Sequence, residues 1–101
     1  MGSRIELQSK LEGVLGSKNV YYQPPESVKM EYPAIVYSKT DMQSKFANNS
    51  AYSLLCRYEI IVIDKKPDNN VINKLLNFPY CDFDRHYKSN NLNHDVLSLY
   101  Y

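Results

Sequence analysis

Tyr52-Ser53-Leu54-Leu55-Cys56-Arg57-Tyr58-Glu59-Ile60-Ile61-Val62-Ile63-Asp64 is the stretch on which the fold turns. Leu55, Arg57, Glu59, Ile61 and Ile63 alternate with Cys56, Tyr58, Ile60 and Val62, the two-residue period of a strand whose successive side chains point to opposite faces. One face is wholly apolar and the other half polar. The run Ile60-Ile61-Val62-Ile63 asks for burial on both sides at that end, which puts this strand in the middle of a sheet.

Downstream the pattern changes to a helix. Pro67 suits the first helical position, Asp68 favours the positive end of the helix dipole, and Val71, Ile72, Leu75 and Leu76 make one apolar stripe. The helix should stop near Asn77, ahead of Pro79. Two strands are then predicted over 80–88, with Cys81, Phe83, Arg85 and Tyr87 on one side, and over 92–101, with Leu97, Leu99 and Tyr101 on one side. Ser89-Asn90-Asn91 between them is turn chemistry, because Asn tolerates the positive φ of tight hairpins. If residue 88 pairs with 93, His86 faces Asp95. If it pairs with 94, Phe83 and Arg85 face Leu99 and Leu97, the better match of apolar faces.

Upstream, Ser3-Arg4-Ile5-Glu6 reads as a capping box opening a helix that carries Leu7, Leu11, Val14 and Leu15 and ends at Gly16. A short strand over 20–23 is closed by Pro24-Pro25, and a second over 34–39 follows Pro33. Residues 40–50 surround a lone Phe46 with polar side chains and read as a long polar loop or hairpin tip. The predicted order is α-β-β-β-α-β-β: one α+β domain over 1–101, with a single mixed or antiparallel sheet and both helices on one face. A chain of 101 residues suits one core.

Composition narrows the function. Six basic residues meet five acidic ones over 1–50, and six meet six over 51–101, so no basic half offers itself to a phosphate backbone. No apolar run approaches a membrane span or a signal peptide, which gives the expectation of a cytosolic protein without membrane contact. Cys56 and Cys81 lack the paired spacing of a metal knuckle and read as buried free thiols. His86 and His94, near Asp82, Asp84 and Asp95, find no third ligand at suitable spacing, and all three glycines lie at or before residue 16, leaving no phosphate loop. Asp82 and Asp84 read as the wet face of an edge strand. Tyr58, Tyr87, Tyr100 and Tyr101 beside Arg57 and Arg85 are candidates for stacking single-stranded nucleic acid, though tyrosines at this density more often fill a sheet face or a subunit contact. Neither an enzyme nor a cofactor or metal site is expected.

Several stretches together carry a resemblance: Tyr32-Pro33-Ala34-Ile35-Val36-Tyr37, the strand from Arg57 to Asp64, the Pro-Asp-led helix ending Leu75-Leu76, Phe83-Asp84-Arg85-His86-Tyr87, and Asn91-Leu92-Asn93-His94-Asp95 leading into Leu97-Ser98-Leu99-Tyr100-Tyr101. In this order they resemble the small tail terminator, or tail completion, proteins of tailed bacteriophages and prophages. Many members carry longer inserts. The resemblance implies a hexameric ring of identical subunits that caps the tail tube, with the tail-tube protein and the head-tail connector or stopper protein as partners. It also implies assembly in the host cytoplasm and a final place at the head-proximal end of the virion tail. The neck stopper and other head completion proteins are the nearest alternatives, and a small nucleic-acid-binding domain is one from another class. Contacts to neighbouring subunits or the tube are expected from Lys39, Asp41, Gln43, Lys45 and Phe46 on the polar segment and from Arg85, Leu99, Tyr100 and Tyr101 near the last strand. That strand is expected at an open edge, unless Leu97, Leu99 and Tyr101 simply complete the core.

Overall fold

The computed structural model describes residues 4–25, 27–47, 50–66 and 70–101, with side chains described outside 41–55. Helix α1 spans Arg4–Leu15, followed by strands β1 Val20–Tyr22, β2 Ala34–Ala47 and β3 Ser50–Asp64, helix α2 Asn70–Leu76, and strands β4 Cys81–Ser89 and β5 Leu92–Tyr100. The five strands form one mixed sheet in the order β1-β2-β3-β5-β4, with β1 parallel to β2 and every other pair antiparallel. The α+β class, the element order and the central place of the Ile-rich strand are those expected from the sequence. Ser3, Pro67 and Asp68, on which the two helix starts were argued, lie outside the described residues.

The register explains why both helices share one face. Ile35 pairs with Val62, Tyr37 with Ile60, Ile60 with Leu97 and Tyr58 with Leu99, so the apolar positions of three strands line up on one side. Leu7 and Leu11 from α1 and Val71 and Leu75 from α2 close over them in a single cluster. Leu76 does not share this burial and is exposed, one position beyond the turn that faces the sheet. On the opposite face Ala34, Ile63 and Val96 are also buried, which accounts for the uninterrupted Ile-Ile-Val-Ile run. The capping glycine behaves as expected: Gly16 has φ +81° and its N–H donates to the Glu12 carbonyl at 2.9 Å.

Helix α1 is also pinned by a polar contact inside this interface. The buried Tyr37 hydroxyl donates to Gln8 Oε1 and accepts from Arg4 at 3.5 Å, while Gln8 Nε2 donates to the Val20 carbonyl at 3.1 Å. Burial raises the Tyr37 phenol above its ordinary pKa, against the lowering effect of Arg4.

Several expectations are corrected. Residues 40–47 are strand and β3 starts at Ser50, which corrects the loop reading of this segment and agrees with the hairpin one; the polar segment is the outer part of a long β2–β3 hairpin. Polar side chains hid this, because a strand with no helix over it has no need of an apolar period. Breaks in register between Lys39 and Asp41 and between Lys45 and Phe46 mark two irregularities in that arm. Strand β5 is not an edge but lies between β3 and β4, and Leu97 and Leu99 are fully buried. The terminal hairpin pairs Lys88 with Asn93 and His86 with Asp95, not 88 with 94. A bulge between Phe83 and Arg85 then brings Phe83 opposite Leu97 and Cys81 opposite Leu99. The extra residue satisfies both patterns at once: Cys81 and Phe83 keep the helix side, while Arg85 and Tyr87 turn to the other face. Asn90 and Asn91 take φ +53° and +63° in the turn, as expected. Cys56 and Cys81 are free thiols, but half-buried rather than buried.

Candidate interaction surface

Two features meet at one end of the sheet. The first is the arm. Pairing of β3 with β5 runs out at Arg57 and Tyr100, extended by mutual backbone bonds between Cys56 and Tyr101 at 3.0 and 3.2 Å. Pairing of β1 with β2 covers only residues 35–37. Beyond this, residues 41–47 and 50–55 have only each other as described strand partners. Seven residues reach about 20 Å, which gives the molecule its long axis of 50 Å against 25 and 22 Å. A two-stranded ribbon alone in water is marginally stable.

The second feature is a groove of about 790 Å³ between α1, α2 and the end of the sheet, lined by Lys10, Lys74, Phe78, Tyr80, Tyr100 and Tyr101 among others. Local sequence builds it. Helix α2 ends in a tight turn, with the Asn77 and Phe78 N–H groups donating to the Lys74 and Leu75 carbonyls at 3.3 and 3.0 Å. Pro79 prevents continuation. Tyr80 then sits at φ +61°, its carbonyl accepting from the Tyr100 N–H at 3.1 Å. The left-handed region costs a side-chain-bearing residue about 1 kcal/mol or more, yet Tyr80 remains 70 % exposed. Lys10 Nζ stands 4.9 Å from the centre of the Tyr101 ring, a cation over an aromatic face.

The expected contact residues divide among these places. Asp41, Gln43, Lys45 and Phe46 belong to the arm, opposite Arg57, Leu55, Ser53 and Ala51 in its register, with Lys39 at its root. Tyr100 and Tyr101 line the groove, whereas Leu99 is 0 % exposed and lies in the core. Arg85 is on β4, in an ion pair with Asp84 at 2.8 Å and 5.9 Å from the Tyr87 ring. The residues considered for stacking nucleic acid are dispersed: Tyr58 is buried under the helices, Arg85 and Tyr87 are on the opposite face, and Tyr101 is in the groove. Lys10, Lys74, Phe78 and Tyr80 were missed, since no sequence period links positions so far apart.

The histidines end in separate pairs. His86 Nδ1 is 2.6 Å from Asp95 Oδ1, while His94 stacks on Tyr87 with centroids 4.7 Å apart and planes 8° from parallel. Among the described residues no group of three His, Cys, Asp or Glu side chains is arranged to hold a metal ion. Cys81 is pushed up to about 11 by burial, with the nearby Asp82 adding to it, so its thiol is not activated as a nucleophile at neutral pH. Among the described residues no helix is long and apolar enough to cross a membrane. No family model matches the chain, and neither a curated protein nor a solved structure does.

Proposed function

We propose that this chain is a structural assembly subunit of the tail-terminator kind, which associates with copies of itself in a ring, caps a phage or prophage tail tube and offers a surface for head-tail joining. The observation that carries the reading is the β2–β3 arm, a ribbon leaving the sheet with both its edges unpaired among the described residues. Open strand edges pair readily with another chain, and a neighbour would supply what the isolated ribbon lacks. Strand β4, the long outer edge, is by contrast poorly suited to extension, because Asp82, Asp84, Arg85, His86 and Lys88 and a bulge blunt it. The order of motifs that resembles tail terminators supports the same reading.

The partners under this proposal are the tail-tube protein and a connector or stopper protein, with assembly in the host cytoplasm and a final place at the head-proximal tail end. The test is to purify the chain, image it by electron microscopy and add it to a polymerising tail-tube protein encoded beside it. Closed rings and tubes arrested at a capped end are expected. A monomer that leaves tube growth untouched, or salt-sensitive retention on DNA in place of rings, would refute the proposal.

A further inference from the structure

The outer edge of β2 changes character along its length. Up to Tyr37 it is paired with β1, and past the end of β1 the Gln23 side chain continues the ladder, its Oε1 accepting from the Lys39 N–H at 3.4 Å. Over residues 41–47 the edge is open among the described residues. The other edge of the arm is less regular, because the step from the Lys45–Ser53 pair to the Phe46–Ala51 pair leaves Tyr52 as an extra residue on β3, and a bulge unsuits a strand to a new neighbour. On β2 the extra residue is Thr40, so residues 41–47 beyond it run uninterrupted. The ladder also fixes which of them offer hydrogen bonds. Cys56 exchanges both its backbone bonds with Tyr101, so Met42, its partner on β2, turns its N–H and C=O away from β3 to the open edge, and Ser44 does the same two residues on.

We infer that two copies of the chain pair the outer edges of β2 antiparallel across a two-fold axis at Gln43, Met42 of each exchanging backbone bonds with the partner's Ser44. Charge selects this register. Asp41 and Lys45 are four positions apart, on one face by the two-residue period of a strand, and an axis at Gln43 sets each opposite the other, once on either side. An axis at Lys45 would face lysine with lysine, one at Met42 would face Lys45 with Lys39, and one at Ser44 would leave both charges opposite uncharged residues. Opposite charges directly across two strands stabilise the pair and like charges destabilise it. Within its own arm Asp41 stands opposite Arg57, itself bonded to Ser98 at 3.3 Å, and Lys45 stands opposite uncharged Ser53. The row across the joined sheet therefore alternates in sign, from Arg57 to Asp41 to the partner's Lys45. Two ribbons, each marginal alone, become one wider sheet. The contact shares with the proposed function the arm as assembly site but needs no tail tube. By itself it makes dimers; a ring requires a further head-to-tail contact, and where both form, the two-fold contact joins two rings.

Gln43→Cys tests the axis directly, since a residue on a two-fold faces itself. Mild oxidation should link that variant into disulfide dimers, whereas Met42→Cys, Ser44→Cys and the wild type, which share the free thiols Cys56 and Cys81, should stay unlinked because offset neighbours lie too far apart for a disulfide. Sedimentation equilibrium across a concentration series tests the charges. Lys45→Asp and Asp41→Lys each set like charges opposite one another and should weaken dimerisation about tenfold. The Asp41→Lys/Lys45→Asp double variant, and an equimolar mixture of the two single variants, should restore it. Ser44→Pro removes only an outward N–H and keeps the ladder to β3, so the mass should halve with the thermal midpoint unchanged. Crosslinking through Ser44→Cys in place of Gln43→Cys, or particles whose mass none of these substitutions alters, would overturn the two-fold contact while leaving a ring intact. Dimers that respond as expected but never close into rings would support the contact and count against the ring. A wild-type chain still monomeric at about 1 mM, a concentration that admits even weak contacts, would overturn both.

Discussion

The two halves of strand β3 belong to different physical worlds. From Tyr58 to Ile63 it lies between β2 and β5 under two helices, and Tyr58, Ile60, Val62 and Ile63 are all buried. Before Cys56 it has a single strand neighbour and runs out along the arm. The same strand thus serves as core in one half and as projection in the other. Continuous hydrogen bonding tells nothing about where stability resides; the covering layer does.

The sharpest way to break this contrast is to cut into the covered half. Leu97 pairs with both Ile60 and Phe83 and is fully buried under the helices. Leu97→Ala leaves a cavity, and a loss of about 3 kcal/mol is expected from denaturant unfolding. That is a large part of the stability of a domain this size. A loss under about 1 kcal/mol would show that the sheet centre is less tightly closed than its burial indicates.

Alkaline titration examines the same region without mutation. Tyr58 is pushed up to about 12, first by burial and then by Cys56 and neighbouring tyrosines, and Cys81 to about 11. Both are neutral acids whose folded pKa lies above the unfolded one. Their contribution is therefore complete below about pH 9 to 10 and is lost as pH rises through 11 and 12. Unfolding should become progressively easier above pH 9. Tyrosinate absorbance should show late-titrating phenols assigned to Tyr37 and Tyr58, both raised by burial. Tyr58→Phe should remove one of them; a folded protein with no late-titrating phenol would contradict the burial.

What the sequence made legible follows the same boundary. Where an element packs against a covering layer, its period reports it: Leu7 and Leu11, Val71 and Leu75, and the alternation through β3 all place the core correctly. Glycine and asparagine at Gly16, Asn90 and Asn91 reported the positive φ angles. Residues 40–47 could be read as loop or as hairpin because strand pairing there is backbone to backbone, and the side chains do not encode it in an apolar period. The terminal hairpin failed for a different reason. A single bulge shifts one end of β4 against β5, and no regular register can match both ends of such a strand. The groove was illegible because it joins Lys10, Lys74 and Tyr101, which only the closed fold brings together.

A smaller effect is expected at the β4–β5 turn, where Asn90 and Asn91 both occupy the left-handed region. Asn-Gly is the preferred pair for such a two-residue hairpin. Asn91→Gly should therefore stabilise the folded chain by about 0.5 kcal/mol or less, since the relief at positive φ is partly offset by the greater freedom of glycine in the unfolded chain. Destabilisation in thermal melts would mean that the Asn91 side chain contributes more than its backbone tolerance.

Another small effect on the subunit is expected from removing the arm altogether. Met42 and Cys56 are direct partners in the ladder, so an Asn-Gly turn joining them replaces residues 43–55 by the shortest hairpin the geometry allows. The shortened chain keeps the Cys56–Tyr101 backbone bonds, the β3–β5 ladder and the whole helix-covered cluster. Shortening the loop also lowers the closure entropy slightly. Unfolding free energy should then change by less than about 1 kcal/mol, because a two-stranded ribbon contributes little on its own. Assembly should respond in the opposite way, with rings lost and tube capping abolished. A shortened chain that fails to fold would place the arm within the cooperative unit and erase the distinction between the two halves of β3. One that folds and still forms rings would move the ring contact to another surface.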